Sequence, residues 1–186
     1  MQLIKLNLGC GRVSPSIFTD HINVDLIKHP GVDVASDVTA LPFANDYADE
    51  VYASHILEHF GTYQTTVVIK EWLRVLKPGG LIRIVVPNLI NAFKIAENYC
   101  RDNGYDGEYL ARVLYGGQNG ETIKESISNS HRTGFDKKLL QKRAEEAGVK
   151  VLDCYYGEAD DTKARHYSTW TRGDENSFNI FLIGHK

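Results

Sequence analysis

The feature that most constrains this chain is the alternation of short apolar runs with amphipathic segments along its first half. Mostly apolar or alternating stretches typical of strands occupy residues 3–8, 22–25, 32–35, 50–54 and 81–86. Helical periodicity occupies residues 65–76, where Lys77-Pro78-Gly79-Gly80 ends it, and residues 89–101. Strands that alternate with helices pair in parallel, so the sequence predicts a doubly wound α/β sheet covered by helices on both faces.

The second half of the chain completes this sheet. A helix is predicted at residues 136–147, and strands are predicted at residues 149–155 and 178–183. Between the halves, residues 103–107 and 116–120 are rich in Gly and Asn and flank a short helix at 108–114. We therefore expect a Rossmann-like, seven-stranded, mostly parallel sheet in one domain, residues 1–186, with a cap or substrate insertion at about 103–133.

Composition narrows the class of protein. The net charge of −3 gives no basic field for nucleic acid, and no segment is apolar for the length of a membrane span. The three cysteines, Cys10, Cys100 and Cys154, are too widely spaced for a disulfide framework. We expect a cytoplasmic protein in a reducing compartment. No His, Cys, Asp or Glu set has convincing ligand spacing, so no metal is expected.

Two features at strand ends indicate a ligand site. Gly9-Cys10-Gly11 directly follows the first strand, and such a turn lets backbone approach a ligand at the carboxyl edge of a sheet. Asp25 ends the second strand, where its carboxylate is placed to accept hydrogen bonds from both hydroxyls of a ribose. Taken alone, these residues are equally compatible with a plain tight turn and a solvated aspartate.

These residues belong to segments that resemble the class I S-adenosylmethionine-dependent methyltransferases, and in particular a small type 11-like domain. The resembling segments run from Leu3 to about Pro87. They are Leu6-Asn7-Leu8-Gly9-Cys10-Gly11, Asn23-Val24-Asp25-Leu26, Asp37-Val38-Thr39-Ala40-Leu41-Pro42-Phe43, Asp49-Glu50-Val51-Tyr52, Leu57-Glu58-His59 and Glu71-Trp72-Leu73-Arg74-Val75-Leu76-Lys77-Pro78-Gly79-Gly80. The last of these is the most specific match.

The resemblance implies a sheet whose last strand is antiparallel, S-adenosyl-L-methionine as cofactor and S-adenosyl-L-homocysteine as product. Gly9 and Gly11 would admit the methionine part of the cofactor, and Asp25 would bind its ribose. Asp37 would face the adenine amino group, with the backbone of Val38 nearby. The residues that the resemblance assigns to the cofactor are Asn7, Gly9, Cys10, Gly11, Asp25, Leu26, Asp37, Val38, Ser54 and His55.

The sequence also departs from the family pattern. Asn7 stands where many members carry an acid, which removes a countercharge for the methionine amino group. Arg12 or Val13 stands in place of a third glycine. The family often has a helix before the first strand, and its absence leads us to expect a cap from residues 105–133.

Catalysis requires mainly that the protein aligns the acceptor nucleophile with the methyl group, because the sulfonium is already an activated methyl donor. A hydroxyl acceptor benefits from a general base, and histidine is suited to that role near neutral pH. His131 is the preferred base and His55, beside the sulfonium, the second candidate, whereas His59 is expected to bond within its loop. Arg132 would either hold an acidic group of the substrate or cap nearby carbonyls.

A further resemblance indicates which class of molecule accepts the methyl group. Residues 114–118, His131 and residues 134–136 resemble small methyltransferases found with polysaccharide-building enzymes. We therefore expect O-methylation of a small molecule or glycan precursor, with neither membrane nor nucleic acid as partner and the oligomeric state open.

Two other functions remain open. An inactive cofactor-binding partner or sensor with the same fold is compatible with Asn7. A nicotinamide-dependent oxidoreductase is less favoured, because its fingerprint needs glycine at Ser14.

Overall fold

The structure is a computed structural model that describes residues 2–11, 18–104, 106–116, 129–158 and 171–186. Its strands are β1 (Lys5–Leu8), β2 (Ile22–Asp25), β3 (Val34–Ala35), β4 (Ala48–Ser54), β5 (Leu76–Pro87), β6 (Lys150–Glu158), β7 (Thr171–Arg172) and β8 (Asn179–His185). Its helices are a 3-10 turn (Leu57–His59), α1 (Thr65–Val75), α2 (Leu89–Asn103), α3 (Gly107–Tyr115) and α4 (Lys137–Ala147). No helix in these ranges is long and apolar enough to cross a membrane.

The strands form one sheet in the order β3-β2-β1-β4-β5-β8-β6-β7. Strands β1 to β5 pair in parallel, and β8 lies antiparallel between β5 and β6. This confirms the predicted doubly wound sheet with an antiparallel last strand. The short edge strand β7 is an addition, because two residues leave no periodicity in the sequence.

The core lies on both faces of the central strands. Because side chains alternate along a strand, Val51 and Ile84 join the larger buried cluster, and Tyr52 and Val85 join a second one. Trp72 of α1 is fully buried in the larger cluster, where α1 and α4 contact each other. The two clusters hold the strand ends that carry the predicted site.

Strand β5 begins at Leu76, earlier than predicted, and therefore includes Lys77-Pro78-Gly79-Gly80. Leu76 pairs with Ala48, and the pairing register then shifts between Ala48 and Glu50. A bulge of this kind absorbs residues that would otherwise break a strand. The segment thus ends α1, as predicted, and also starts the next strand.

Helix α1 holds the segment that the family resemblance assigns to adenine. The indole Nε1 of Trp72 donates to the carbonyl of Val38 at 3.1 Å. Glu71 Oε1 accepts from the amide of Leu41 at 2.8 Å, and an Arg74 Nη donates to the Leu41 carbonyl at 3.0 Å. These hydrogen bonds give the conspicuous Glu71-to-Arg74 motif a structural role.

We expect Glu71→Gln to lower the free energy of unfolding by about 1–3 kcal/mol near neutral pH, because it weakens charge-assisted hydrogen bonds. The hydrogen bond from Arg74 holds the pKa of Glu71 below its ordinary 4.5. Its stabilisation is therefore complete above about pH 4.5 and is lost as pH falls through the lower, folded-state pKa. Denaturant unfolding at several pH values tests this, with the exposed Glu97→Gln of α2 as control. A deficit that persists unchanged into acid would contradict it.

Candidate active site

The predicted site lies at the carboxyl edge of the parallel strands. The strand order reverses between β1 and β4, and ligands of open α/β sheets bind outside the strand ends at such a switch point. Gly9 follows β1, Asp25 ends β2 and His55 follows β4. The structure therefore brings these three sequence-predicted residues to one edge.

The turn after β1 requires glycine. Gly9 has φ +63° and Gly11 φ +60°, in the left-handed region that side chains disfavour. A Cβ atom on Gly9 would lie 2.6 Å from Cγ1 of Ile56, which follows His55. The turn and the segment after β4 therefore pack against each other without space for a side chain.

Asp25 fastens this turn. Its Oδ2 accepts from the amide of Gly11 at 2.7 Å and its Oδ1 from the amide of Ile27 at 3.0 Å. Cys10 is buried, and its amide donates to the carbonyl of Val24 at 3.1 Å. Leu26, which follows Asp25, is exposed. A carboxylate has about four acceptor positions, so Asp25 keeps capacity for ribose hydroxyls.

Asn7 is buried and tied to the neighbouring strand. Its Nδ2 donates to Asn23 Oδ1 at 2.8 Å, and Asn23 Nδ2 donates to the carbonyl of Phe18 at 3.3 Å. This neutral pair joins β1 to β2 without burying a charge, which is a structural reason for an amide in place of the usual acid.

The adenine-side segment starts beside Asp25. The amide of Ser36 donates to the carbonyl of Asp25 at 2.8 Å. Asp37 is exposed, and its Oδ1 accepts from the amide and the hydroxyl of Thr39, both at 2.8 Å. Val38 is buried. Asp37, which directly follows Ser36, therefore lies near Asp25 in the fold.

The chain turns sharply where β4 ends. Ser54 is buried, and His55 has φ +53°, a conformation that is uncommon outside glycine and often found at functional sites. The amide of His55 donates to the carbonyl of Val85 at 2.9 Å. This contact fixes the start of the 3-10 turn against β5.

A histidine–glutamate cluster, formed by His55, Glu58, His59 and His131, follows this turn. Glu58 is only 1% exposed, and its Oε1 lies 3.4 Å from His55 Nδ1 and 4.0 Å from His131 Nε2. Neither carboxylate oxygen has a hydrogen-bond partner among the described residues. The rings of His59 and His131 are 5.2 Å apart between centroids.

Backbone hydrogen bonds bring the distant residues of the cluster together. The amides of Arg132 and Thr133 donate to the carbonyl of Glu58 at 2.8 and 3.1 Å. The amide of His131 donates to the carbonyl of Tyr115, at the end of α3, at 2.8 Å. The expectation that the side chain of His59 bonds within its own loop was wrong, because its Nδ1 bonds to the carbonyl of the distant Ser130 at 3.2 Å. The sequence reasoning did not single out Glu58, whose only signal was its place in the Leu57-Glu58-His59 segment.

The cluster has unusual electrostatics. Burial works to raise the pKa of Glu58, but contact with His55 and the charges of His55 and His59 outweigh it, so this pKa lies below its ordinary value. Burial lowers the pKa of His131 below its ordinary value, although the nearby charge of Glu58 acts to raise this pKa. One ligand atom each from Glu58, His59 and His131 lies within 4.8 Å of the others, a spacing suited to a metal ion.

Some residues of the predicted site and cap lie outside the part of the chain that the structure describes. Arg12, Val13 and Ser14 lie outside the described residues, as do Tyr105 and residues 117–128 of the expected cap. Within the described part, α3 lies against α2 through stacked rings of Tyr99 and Tyr109, whose centroids are 3.7 Å apart.

Comparisons with known proteins identify a related sequence family. The sequence model of the methyltransferase-domain family matches residues 6–84. No curated protein sequence matches the chain.

Several solved structures share the fold. An S-adenosylmethionine-dependent methyltransferase from Thermotoga maritima is similar over all of this chain and 83% of its own, with 13% identity and a TM-score of 0.66. One from Methanosarcina mazei has 15% identity over 100% and 92% of the two chains and a TM-score of 0.62. The 1,6-didemethyltoxoflavin-N1-methyltransferase of Burkholderia thailandensis, with S-adenosylhomocysteine bound, has 14% identity over 100% and 71% and a TM-score of 0.61.

The matched segment contains the glycine turn, Asp25 and Asp37, and ends inside β5. This match identifies residues 6–84 as part of a methyltransferase domain, and the sheet order is that of the Rossmann-like methyltransferase fold. The chain is therefore an S-adenosylmethionine-dependent methyltransferase, with S-adenosyl-L-methionine as its cofactor.

Proposed function

We propose that this enzyme methylates a hydroxyl oxygen of a small molecule or glycan precursor. The observation that carries the proposal is the histidine–glutamate cluster, which adjoins the glycine turn through Ile56. A neutral hydroxyl is a weak nucleophile, and transfer to it needs a group that withdraws or accepts its proton. A cluster of imidazoles at the edge of the cofactor site meets this need.

The same proposal assigns the cofactor contacts. Gly9 and Gly11 admit the methionine part, with Asn7 and Cys10 behind the turn. Asp25 binds the ribose, and Leu26 and Asp37 flank the adenine beside the backbone of Val38. Ser54 and His55 face the sulfonium at the end of β4. The supporting observation is that the turn, the end of β2 and the end of β4 meet at the switch point.

The acceptor is proposed to bind between His55 and His131, under a cap formed by about residues 103–133. The contact between α3 and His131 supports this, since it joins the proposed cap to the cluster. The net charge of −3 favours a small or sugar acceptor over nucleic acid. The free thiols of Cys10, Cys100 and Cys154 fit a reducing, cytoplasmic setting.

We expect His131→Ala to lower turnover at least about tenfold and to leave the affinity for S-adenosyl-L-methionine within about twofold of the wild type, because the ring lies on the acceptor side. A screen of sugar and small-molecule hydroxyls, followed by kinetics and cofactor titration, checks this. His185→Ala is the control, since His185 pairs with Leu81 at the opposite end of β5. Unchanged turnover in His131→Ala would remove this residue from the acceptor site.

A further inference from the structure

We propose that Glu58, His59 and His131 form a binding site for a divalent transition-metal ion such as Zn²⁺. The donor set of two imidazoles and one carboxylate is one that Zn²⁺ accepts in catalytic sites, where a fourth position stays open. The spacing of these residues along the sequence does not indicate a metal site, because only the fold brings His131 close to Glu58 and His59.

The buried carboxylate of Glu58 is the first observation. It is 1% exposed and has no hydrogen-bond partner among the described residues. Its Oε1 lies 3.4 Å from His55 Nδ1, a contact that offsets part of the several kcal/mol that burial of a carboxylate costs. A divalent cation between Glu58 and the two rings would bind the carboxylate directly.

The orientation of His59 is the second, independent observation. Its Nδ1 lies 3.2 Å from the carbonyl oxygen of Ser130, and since a carbonyl only accepts, Nδ1 carries the proton. The lone pair is then on Nε2. Metal-binding histidines almost always donate their other N–H to a carbonyl or carboxylate in this way.

The third ligand, His131, is also held in place by its surroundings. The amides of Arg132 and Thr133 bond to the carbonyl of Glu58, which fixes the segment after His131 to the 3-10 turn. On the other side, a Cβ atom on Gly116 would lie 2.7 Å from Cδ2 of His131, so this ring packs closely against the end of α3. The three ligands are therefore preorganised before an ion binds.

The role of the ion, though not its binding, rests on the proposed function. An acceptor hydroxyl in the open position would be polarised by the ion and would release its proton to solvent more readily. The oxygen then bonds to the methyl carbon, and the bond from that carbon to sulfur breaks with its electron pair on sulfur. The products are the methyl ether and S-adenosyl-L-homocysteine. His131 thus serves the acceptor as a metal ligand.

The test is calorimetric titration of Zn²⁺ into chelator-treated, full-length protein without S-adenosyl-L-methionine or acceptor. We expect one-to-one binding that weakens at least about tenfold in Glu58→Gln and in His59→Ala. Two controls should bind as the wild type does. His185→Ala removes an imidazole at the opposite edge of the sheet, and Glu50→Gln changes a buried carboxylate that Arg83 Nε pairs at 2.9 Å.

Thermal unfolding separates this role from a structural one. Metal-free Glu58→Gln and Glu50→Gln should both be somewhat less stable than the wild type, because each change removes a buried carboxylate from contact with a basic side chain. Zn²⁺ should raise the Tm of the wild type and of Glu50→Gln, but not that of Glu58→Gln. No binding by the wild type, or equal binding by Glu58→Gln, would overturn the site. O-methylation that persists without any Zn²⁺ binding would refute the site and leave the proposed function standing.

Discussion

Asp25→Ala is expected to weaken the binding of S-adenosyl-L-methionine about a hundredfold or more. The variant loses the proposed ribose contacts and also the carboxylate that accepts from the amides of Gly11 and Ile27. Hydrogen bonds to a charged group each contribute about 1.5–3 kcal/mol, and each 1.4 kcal/mol changes affinity tenfold. Calorimetric titration of the cofactor into the wild type and the variant gives the ratio.

Asp33→Ala is the matched control for this prediction. Asp33 Oδ2 also accepts a backbone hydrogen bond, from the amide of Asn23 at 2.8 Å, but it precedes β3 and lies away from the carboxyl edge. Its removal should cost some stability and leave the cofactor affinity unchanged. Equal weakening in both variants would indicate that loss of stability, and not loss of a ribose ligand, explains the result.

Gly9→Ala is expected to weaken the same binding about a hundredfold. An alanine there would hold a left-handed φ of +63°, which costs roughly 1–2 kcal/mol, and its Cβ would overlap Ile56. Relief of that overlap moves the turn away from the methionine part, or moves Ile56 and with it the cluster. Isothermal titration of the cofactor is again the measurement.

The variant Gly79→Ala separates the effect of backbone strain from the effect of the overlap with Ile56. Gly79 has a comparable φ of +75°, but an added Cβ would meet no atom within 4 Å. This control should lose some stability and retain full affinity. Retained affinity in Gly9→Ala would show that the turn does not approach the cofactor as closely as we propose.

The fold was predictable because its signals are local. Residues 81–86 form an apolar run bounded by Gly80 and Pro87, and the structure places them in β5. Asp136 and Gly148 marked the ends of α4, and both cap it: the Asp136 side chain accepts from Leu139, and Gly148 is left-handed. The early start of β5 was missed because Pro78 and Gly79 signal a break, whereas the actual bulge depends on pairing with a distant strand.

The site was predictable to the extent that it lies at strand ends. Gly9, Asp25 and His55 each directly follow or end an apolar run, and parallel strands bring such positions together. The histidine–glutamate cluster is different, because 71 positions separate His59 from Ser130, whose carbonyl orients it. Only the tertiary structure shows that Glu58 is buried among three imidazoles, so sequence spacing led to the expectation of no metal.

The most direct test of the central claim, a methyltransferase whose cofactor lies at the glycine turn, is calorimetric titration of S-adenosyl-L-methionine, S-adenosyl-L-homocysteine and NAD into the wild-type protein. We predict saturable one-to-one binding of the first two ligands, no binding of NAD, and loss of the signal in Asp25→Ala. Binding of NAD alone would contradict the claim and indicate a nicotinamide-dependent enzyme. Binding of none of the three would contradict it as well.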